Sequence, residues 1–457
     1  MKNELVPFTS ENTNNYFYDP KLKEIFIYSE ALYRERDSIC RNSLKKEEHY
    51  MSLTAEDVEY QLANLGQITI EITEKCNLNC LYCTYGDLYS SVHREGTEIK
   101  IDLIKNILVY LVEKLNSNLN VSTGNPFYIS FYGGEPLVRF TTVRQTEDFV
   151  NQLTFLNNNV TFSMTTNGYF LDKYMDYLKE NNFRLLISLD GGRSGNQLRV
   201  DHKGKPHFNK IYRNIKSLQS KYPDYFISNV NFNAVLNKYN SVESITDFIE
   251  THFNKLPQIS DISSQGLKSD KISEFYNIYS SSLKSFAEAG KVMNIKEKYF
   301  IHHPVVKDTF IFLQSVCRNS FKDYNTLLGE GNRRRIPTGT CLPFFKRMFI
   351  SANGTVLPCE NVSRKHSFGY VDENGVDIDT GKIAEKYNTA FKQLEAQCNR
   401  CHGKDICPHC VFQMEESFKC PDMIKRADLE KKFSQAMTLI EDNPELYVRM
   451  MKEVCVE

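Results

Sequence analysis

Three closely spaced cysteines give the strongest chemical signal in this 457-residue sequence. Cys76, Cys80 and Cys83 come directly after residues 67–73, an apolar-rich stretch that predicts a β-strand. A 4Fe-4S cubane has four irons and is normally held by four thiolates, so three cysteines leave one iron free to bind another molecule. A structural zinc site is instead closed by four ligands. The spacing therefore predicts a cluster whose open iron can take part in chemistry.

A second group of cysteines lies in the last quarter of the chain. The two groups together hold ten of the thirteen cysteines, which in a reducing compartment favours metal or cluster ligation over disulfides. The two Cys-x2-Cys pairs at 398–410 also fit a zinc ribbon, so the metal stays open on spacing alone. The members of this second group are Cys341, Cys359, Cys398, Cys401, Cys407, Cys410 and Cys420.

The central part of the chain alternates between strand-like and amphipathic helical patterns. Such βα repeats predict parallel strands joined by right-handed crossovers, and six of them predict a partial (β/α)6 TIM-like barrel in the α/β class. The predicted strands are 67–73, 126–132, 159–165, 183–189, 227–235 and 257–263. The predicted helices are 101–115, 143–157, 170–181, 208–221 and 241–254.

Several glycine-containing and polar motifs follow these predicted strands. TIM-type barrels place their active sites in the loops after the strands, where the first cysteine group also lies. Any one of these motifs alone is most often just a turn. Their joint position predicts a cofactor pocket with close backbone approach and a few oriented polar groups. The candidate pocket residues are Gly133, Gly134, Glu135, Pro136, Asn167, Ser188 and Asp190.

The flanking segments predict further domains. Residues 1–65 look like a small α+β unit with a hairpin, and 66–265 form the barrel. A helical connector spans 266–335. A cysteine-rich, loop-rich domain covers 336–425, and 426–457 form a C-terminal helix.

The charge balance and the apolar pattern of the sequence restrict the binding partners and the cellular location to be expected. The 56 Lys and Arg residues nearly balance 57 Asp and Glu residues, which gives no argument for nucleic acid or an anionic membrane. The sequence starts without the apolar core of a secretory signal and contains no long apolar run. A cytoplasmic protein is therefore expected.

The order of the motifs over residues 67–265 resembles the radical S-adenosylmethionine (SAM) superfamily. The resemblance implies that Cys76, Cys80 and Cys83 hold a 4Fe-4S cluster and that SAM chelates its free iron. It also implies that one electron splits SAM to a 5′-deoxyadenosyl radical, which abstracts a substrate hydrogen. The residues that we assign to the SAM pocket are Tyr82, Gly133, Gly134, Glu135, Pro136, Asn167, Ser188, Asp190, Arg199 and Leu236.

The second cysteine group resembles the SPASM domain, which in its family carries two auxiliary 4Fe-4S clusters. The pattern implies that Cys398, Cys401, Cys407 and Cys420 hold one cluster. Cys341, Cys359 and Cys410 would then hold the other, whose fourth site is Cys317, a group other than cysteine, or open to substrate. Glu360 follows Cys359 at the position where sulfatase-maturing enzymes place a catalytic Asp, so we take it as a candidate catalytic residue.

These features together predict a radical SAM enzyme that modifies a ribosomally made precursor peptide by a thioether or carbon–carbon crosslink. The small N-terminal unit is the candidate for capturing a leader peptide by strand addition. The expected partners are that peptide and an electron donor such as flavodoxin or ferredoxin. Two alternatives remain: an anaerobic sulfatase-maturating, formylglycine-generating enzyme, and a zinc-stabilised binding or regulatory protein.

Overall fold

The computed structural model describes residues 4–42, 52–90, 95–289, 299, 303–317, 338–414, 418–450 and 452. The strands are β1 (Val6–Thr9), β2 (Asn15–Asp19), β3 (Glu24–Ile27), β4 (Gln67–Thr73), β5 (Pro126–Gly133), β6 (Asn159–Thr166), β7 (Arg184–Ser188), β8 (Val230–Leu236), β9 (Gln258–Asp261), β10 (Met348–Ile350), β11 (Thr355–Leu357), β12 (Gly369–Asp372) and β13 (Gly375–Asp377).

The helices are α1 (Glu30–Asn42), α2 (Ala55–Ala63), α3 (Ile101–Leu115), α4 (Phe140–Val150), α5 (Leu171–Glu180), α6 (Phe208–Lys221), α7 (Pro223–Asn229), α8 (Val242–Phe253), α9 (Ile272–Ile278), α10 (Ser282–Ala289), α11 (Pro304–Val316), α12 (Thr380–Cys398), α13 (Arg426–Asp442) and α14 (Pro444–Arg449). Within the described residues, no helix is both long and apolar enough to span a bilayer.

The chain divides into two compact units. Unit 1 comprises Met1–Leu53, Asn294–Thr340 and Lys386–Glu457, and unit 2 comprises Thr54–Met293 and Cys341–Glu385. Each unit is built from pieces that are distant in sequence, so the cysteine-rich region contributes to both.

Unit 2 is built on a ten-stranded sheet that contains the predicted barrel. Strands β4 to β9 are neighbours in chain order and all pair in parallel. This arrangement confirms the α/β class and the partial six-stranded barrel. The bounds of α3 and α6 are those predicted from the periodicity of their apolar residues.

Several predicted elements were too long or began too early, and one helix and one strand show the reason. The helix predicted over 143–157 ends at Val150, because the following loop is fixed by Asn116, whose side chain bonds Thr154 O and Leu156 N at 2.8 Å each. The strand predicted over 227–235 begins only at Val230. Pro223 occupies the first turn of α7, which keeps 227–229 helical.

Four short strands of the cysteine-rich region extend the barrel sheet and were not predicted. Strand β10 pairs in parallel with β4, and β11, β12 and β13 continue the sheet antiparallel. These strands have only three or four residues and show no clear alternation of apolar and polar residues, so they could not be recognised from the sequence.

Unit 1 carries a three-stranded antiparallel sheet and a helical core. Strands β2 and β3 form the hairpin predicted around residues 16 and 24, and β3 lies at one edge. The core packs residues of β1 and β2 against α11 and α13, with the rings of Phe8 and Phe433 stacked at 5.0 Å. The Tyr18 hydroxyl donates to Val316 O at 2.8 Å, which ties the sheet to the end of α11.

Candidate active site at the strand ends of the barrel

The loop that carries the first cysteine group is held on one side by the Gly-Gly-Glu motif after β5. The backbone N–H of Gly134 donates to Thr73 O at 2.8 Å, and the N–H of Glu135 donates to Lys75 O at 3.0 Å. A Cβ atom on Gly134 would lie 2.2 Å from Lys75 O, and Gly133 has a φ of 130°. The glycines therefore allow close approach to the backbone that precedes Cys76.

The other side of this loop is fixed by the segment before Asp201. The N–H of Asn79 donates to Val200 O at 2.7 Å, and the N–H of Leu81 donates to Leu198 O at 3.0 Å. Backbone bonds from two separate segments thus position the cysteine loop at the carboxyl end of β4.

Donors surround the Cys76 sulfur. The Leu78 N–H lies 3.4 Å from it, and Asn167 Nδ2 lies 3.8 Å from it and also donates to Asn77 Oδ1 at 2.9 Å. Such N–H groups stabilise a thiolate that binds iron. Asn77 Nδ2 is buried with no hydrogen-bond partner among the described residues. Buried donors normally have an acceptor, so this nitrogen is suited to bind an acceptor atom of a ligand in the pocket.

The three thiols of this loop are close enough to influence one another. Burial, together with the neighbouring Cys83 and Cys76, raises the pKa of the Cys80 thiol to about 12, although the Arg199 guanidinium lowers it. Mutual proximity of three thiols beside backbone and amide donors fits a cluster held by three thiolates.

The Glu135 carboxylate is a buried structural anchor between two motif loops. Its Oε1 accepts from the Thr166 hydroxyl at 2.8 Å and from the Leu137 N–H at 3.2 Å, and its Oε2 accepts from the Asn167 N–H at 2.7 Å. Burial raises its pKa to about 7 despite these donors. Pro136 is buried and opens the short 3-10 turn that follows.

Tyr82, Asp190 and Arg199 form a buried cluster behind the cysteine loop. Asp190 accepts the Tyr82 hydroxyl and both Nε and Nη2 of Arg199, the latter two at 2.9 Å. A third segment joins through the Val235 N–H, which donates to Asp190 Oδ1 at 2.8 Å. Burial and the Asp190 carboxylate raise the pKa of Tyr82 well above its usual value. Asp190 thereby ties the cysteine loop to β8.

Ser188 and Leu236 stand at the ends of neighbouring strands. Ser188 is half-buried, and among the described residues no hydrogen bond of its hydroxyl is found, whereas Leu236 is buried. The first cysteine group and all ten residues predicted for the SAM pocket lie in unit 2. Their individual roles toward SAM remain predictions.

Two family models match the chain. Residues 70–251 match the radical SAM superfamily, and residues 341–402 match the SPASM iron-sulfur cluster-binding domain. The chain therefore carries a radical SAM domain and a SPASM domain. Its cofactors are therefore SAM and 4Fe-4S clusters. These matches favour cluster ligation over the zinc-stabilised binding protein.

Two curated relatives match most of this radical SAM–SPASM chain. One is a cysteine-type anaerobic sulfatase-maturating enzyme of Clostridium novyi, 24% identical over 76% of this chain and 87% of that protein. The other is the radical SAM cyclopropyl synthase TigE of Paramaledivibacter caminithermalis, 24% identical over 75% of this chain and 66% of that protein. Two differently named enzymes match at equal identity.

A solved structure supports the fold of the radical SAM–SPASM chain. The structure of anSMEcpe with bound AdoMet and Cp18Cys peptide aligns with a TM-score of 0.53 and 18% identity, over 84% of this chain and 98% of that one. At this identity the likeness concerns the fold alone.

The second cysteine group places four predicted ligands around one cavity in unit 1. The cavity contains about 440 Å³ of empty space, open solvent included. Its lining includes Cys398, Cys401, Cys407 and Cys420, which are the four cysteines that the SPASM pattern assigns to one cluster. The residues present thus fit a cubane at this position.

Backbone donors support the Cys407 thiolate in this cavity. Burial raises the pKa of the Cys407 thiol, whereas the N–H groups of His409 and Gly339 lower it, and nearby Cys420 and Cys401 raise it. A Cβ on Gly339 would lie 2.6 Å from Cys407 O, so only glycine allows this approach. Hydrogen bonds to cysteine sulfur are a means by which proteins tune cluster potentials.

The remaining auxiliary cysteines do not form one set within either unit. Cys341 and Cys359 belong to unit 2, and Cys410 belongs to unit 1. Cys317 packs against the apolar core of unit 1, and burial raises its pKa to about 11. The ligand set of the other auxiliary cluster therefore stays a prediction.

The spacing of the cysteine sulfurs differs between a single-zinc site and a 4Fe-4S cubane. Four sulfurs bound tetrahedrally to zinc would lie roughly 4 Å from one another. Across the described ranges, no group of three or more His, Cys, Asp or Glu side chains is arranged to hold a single ion. Thiolates around a cubane bind different irons and stand farther apart.

Glu360 lies in unit 2 beside Arg347. Its Oε1 accepts from Arg347 Nη1 at 2.8 Å, and its Oε2 is buried with no hydrogen-bond partner in the described part of the chain. A carboxylate with one anchored and one open oxygen is suited to accept a proton.

A pair of buried acidic residues, Glu71 on β4 and Glu74 just after it, was missed by the sequence analysis. Glu71 accepts from the Tyr85 hydroxyl and the Ala352 N–H, each at 2.9 Å, and Arg364 donates to both Glu71 and Glu74. One acidic residue in an apolar strand and a second just after it were the available signal, because buried carboxylates require partners. Their partner lies 290 residues away and could not be identified from spacing.

Proposed function

We propose that this radical SAM–SPASM enzyme modifies a ribosomally synthesised peptide by forming a thioether or carbon–carbon crosslink. When bound, the cluster and SAM supply a radical that removes a hydrogen atom from the substrate. Cys76, Cys80 and Cys83 would hold that cluster, and the backbone after β5 would position the loop around it. The sulfatase-maturating relative named above is consistent with a peptide or protein substrate.

The observation that supports a peptide substrate is the outer edge of β3, which pairs with β2 and with no other strand in the described part of the chain. The three-stranded sheet of unit 1 ends at this strand, and Ile27, its last residue, is 78% exposed. The N–H of Tyr28 donates inward to Asn15 O. Because N–H directions alternate along a strand, those of Ile25 and Ile27 point to the open side. An extended peptide can add there as a fourth strand through backbone bonds.

The test uses the full chain, reconstituted anaerobically with iron and sulfide, and the peptide encoded by a small open reading frame beside the gene. With SAM and dithionite, we expect deoxyadenosine and a peptide whose mass is lower by two hydrogen atoms. Deoxyadenosine without any change in the peptide, and with a neighbouring sulfatase oxidised instead, would overturn the proposal.

Two variants of Ile27 test the strand edge. Ile27→Pro removes one outward N–H without touching the bonds to β2, since proline is tolerated at an edge. We expect peptide binding to weaken by up to about tenfold, which corresponds to the loss of one backbone hydrogen bond. Ile27→Ala keeps that N–H and is the matched control, with binding changed by less than about threefold. Equal effects of the two variants would show that the side chain, not the edge, binds the peptide.

One observation favours a second candidate. The open, buried oxygen of Glu360 suits the proton-accepting role that formylglycine formation on a sulfatase requires, and a sulfatase-maturating enzyme is among the relatives. A sulfatase-derived peptide in which a Cys or Ser becomes an aldehyde would support this candidate against the crosslinking enzyme.

A further inference from the structure

The two faces of the parallel strands in unit 2 have different chemistry. On β4, Ile68, Ile70 and Ile72 are fully buried on one face, and Thr69 and Glu71 lie on the other. Sheets of parallel strands are usually apolar on both faces, and closed barrels fill their interior with branched apolar side chains. Helices of right-handed crossovers all cover the same face of such a sheet, so the polar face is the inner one.

Strand register and hydrogen bonds confirm that polar residues share this inner face. Thr69 pairs with Ser130, and Ser130 pairs with Ser163 across β4, β5 and β6. Gln67 Nε2 donates to Ser130 Oγ at 2.9 Å, and the Ser130 and Ser163 hydroxyls lie 2.5 Å apart. In this part of the face, the protein satisfies its own polar groups.

Nearer the carboxyl ends, the inner face has unused hydrogen-bonding capacity. Thr165 on β6 and Asn233 on β8 are half-buried, and no side-chain hydrogen bond of either is found among the described residues. Asn233 is in register with Ser188, which is also half-buried and has no hydrogen bond of its hydroxyl among the described residues. Half-buried polar groups without protein partners require water or a polar ligand.

The inner face also lacks an available charge. Among the described residues of β4 to β9, its charged side chains are Glu71 and Arg184. The Glu71 oxygens are taken by the partners named above, and Arg184 is exposed at the amino end, where it donates to the Tyr128 hydroxyl at 2.8 Å. A charged ligand side chain would therefore lose water without meeting an unpaired opposite charge.

We propose that the inner face around Thr165 and Asn233 binds the reacting segment of the peptide and selects uncharged polar residues, Ser, Thr and Asn. This inference rests on the proposed peptide substrate and specifies its chemistry. The Asn233 amide both donates and accepts, and the Thr165 hydroxyl does the same, so each can pair with a hydroxyl, a side-chain amide or a peptide group. An aliphatic or aromatic side chain would displace water and leave these groups unpaired.

The test measures binding without turnover. The reconstituted full chain, loaded with SAM and kept without reductant, is mixed with the library Ac-Gly-Gly-X-X-X-Gly-Gly-amide, in which X is any residue except Cys. Bound peptides are recovered by ultrafiltration and sequenced. We expect Ser, Thr and Asn to be enriched about fivefold over Leu, Ile and Phe, the factor that one net hydrogen bond supplies.

Three variants localise the selection. Thr165→Val keeps the side-chain shape and removes the hydroxyl, and Asn233→Leu removes the amide; each is expected to abolish most of the enrichment. Asn159→Leu is the matched control, because Asn159 is exposed at the first position of β6. Its library profile should equal that of the unmodified chain.

The remaining outcomes separate the two proposals. Enrichment of aromatic, aliphatic or charged residues would overturn the polar selection and leave a peptide enzyme intact. An enrichment that Thr165→Val and Asn233→Leu both preserve would place the selection elsewhere and overturn the inference. No retained peptide, together with no modified peptide under reducing conditions, would overturn both proposals.

Discussion

Arg364 donates a 2.6 Å hydrogen bond to the buried carboxylate of Glu74. The same guanidinium group reaches Glu71 at 3.1 Å, so one side chain from the SPASM-matching region neutralises two acidic residues of the strand and loop that lead to Cys76. All of these residues belong to unit 2. The cysteine loop thus depends on a residue far beyond the barrel in sequence.

Replacing Arg364 should destabilise unit 2. Arg364→Met leaves Glu71 and Glu74 buried without their counter-charge, and we expect the free energy of unfolding to fall by about 2 kcal/mol. The loss is smaller than for a fully buried ion pair because the Arg364 side chain is partly exposed. Urea unfolding measures this change. Lys100→Met is the matched control: Lys100 pairs with Glu373 at 2.6 Å on the surface, and the loss of stability should be much smaller than in Arg364→Met, because exposed ion pairs contribute little. Equal losses would show that burial of the carboxylates does not matter.

The effect of Arg364 should also depend on pH. Burial alone would raise the pKa of Glu74, but hydrogen bonds from Arg364 and from the Thr97 and Glu95 N–H groups lower it overall. A carboxylate with a lowered folded pKa contributes stability above its unfolded pKa, about 4.3, and loses it as pH falls through the folded value. The difference between unmodified and Arg364→Met protein should therefore shrink below about pH 4.

Glu135 should show the opposite dependence. Burial raises its pKa to about 7, so the folded state binds a proton more tightly than the unfolded state. Stability from this group is present below the unfolded pKa of about 4.3 and falls as pH rises to 7. Unmodified protein should lose unfolding free energy relative to Glu135→Gln, by roughly 3 kcal/mol between pH 4.5 and 7. Parallel pH curves would contradict a raised pKa.

Tyr82 was predicted to contact SAM, and its hydroxyl is committed to Asp190. Tyr82→Phe removes that bond and leaves the two bonds from Arg199 in place, so we expect SAM cleavage within about fivefold of the unmodified rate. Asp190→Ala strands the buried Arg199 and should lower both stability and SAM affinity by about 3 kcal/mol or more. Deoxyadenosine formation and SAM titration measure these effects. A hundredfold loss in Tyr82→Phe would show that the hydroxyl itself serves SAM.

The strands of the barrel could be predicted because each combines buried apolar residues with a βα repeat. Helices such as α3 showed their period over fifteen residues. The motif loops could be placed at one edge because parallel strands end on the same side.

What could not be predicted depends on contacts between distant segments. Strand β10 joins the sheet because Met348 pairs with Ile68. The Asp190 carboxylate is held by hydrogen bonds from Tyr82, Arg199 and Val235. Spacing identified Gly133 and Gly134 as close-approach positions but not the approaching group, which in the structure is the backbone of residues 73 and 75.

Cysteine variants separate the two kinds of cluster. Three cubanes would hold about twelve irons, and Cys80→Ala should lose about four of them together with SAM cleavage. Cys401→Ala should lose a similar amount of iron, because Cys401 lines the cavity of unit 1, and should keep SAM cleavage without peptide modification. Iron analysis and deoxyadenosine assays check this. Equal loss of cleavage in both variants would contradict the division of roles.

Glu360 is the candidate proton acceptor, and a variant of Arg347, which donates a hydrogen bond to it, serves as the control. Glu360→Gln keeps the size of the side chain and an acceptor for the Arg347 guanidinium, yet cannot take a proton; we expect product formation about 100-fold slower with cluster spectra unchanged. Arg347→Gln leaves the carboxylate in place and should slow product formation less than about tenfold. Because a base accepts its proton after the hydrogen atom is removed, deoxyadenosine should still form in Glu360→Gln, uncoupled from product. Coupled loss of both would instead give Glu360 a role in positioning the cofactor or the substrate.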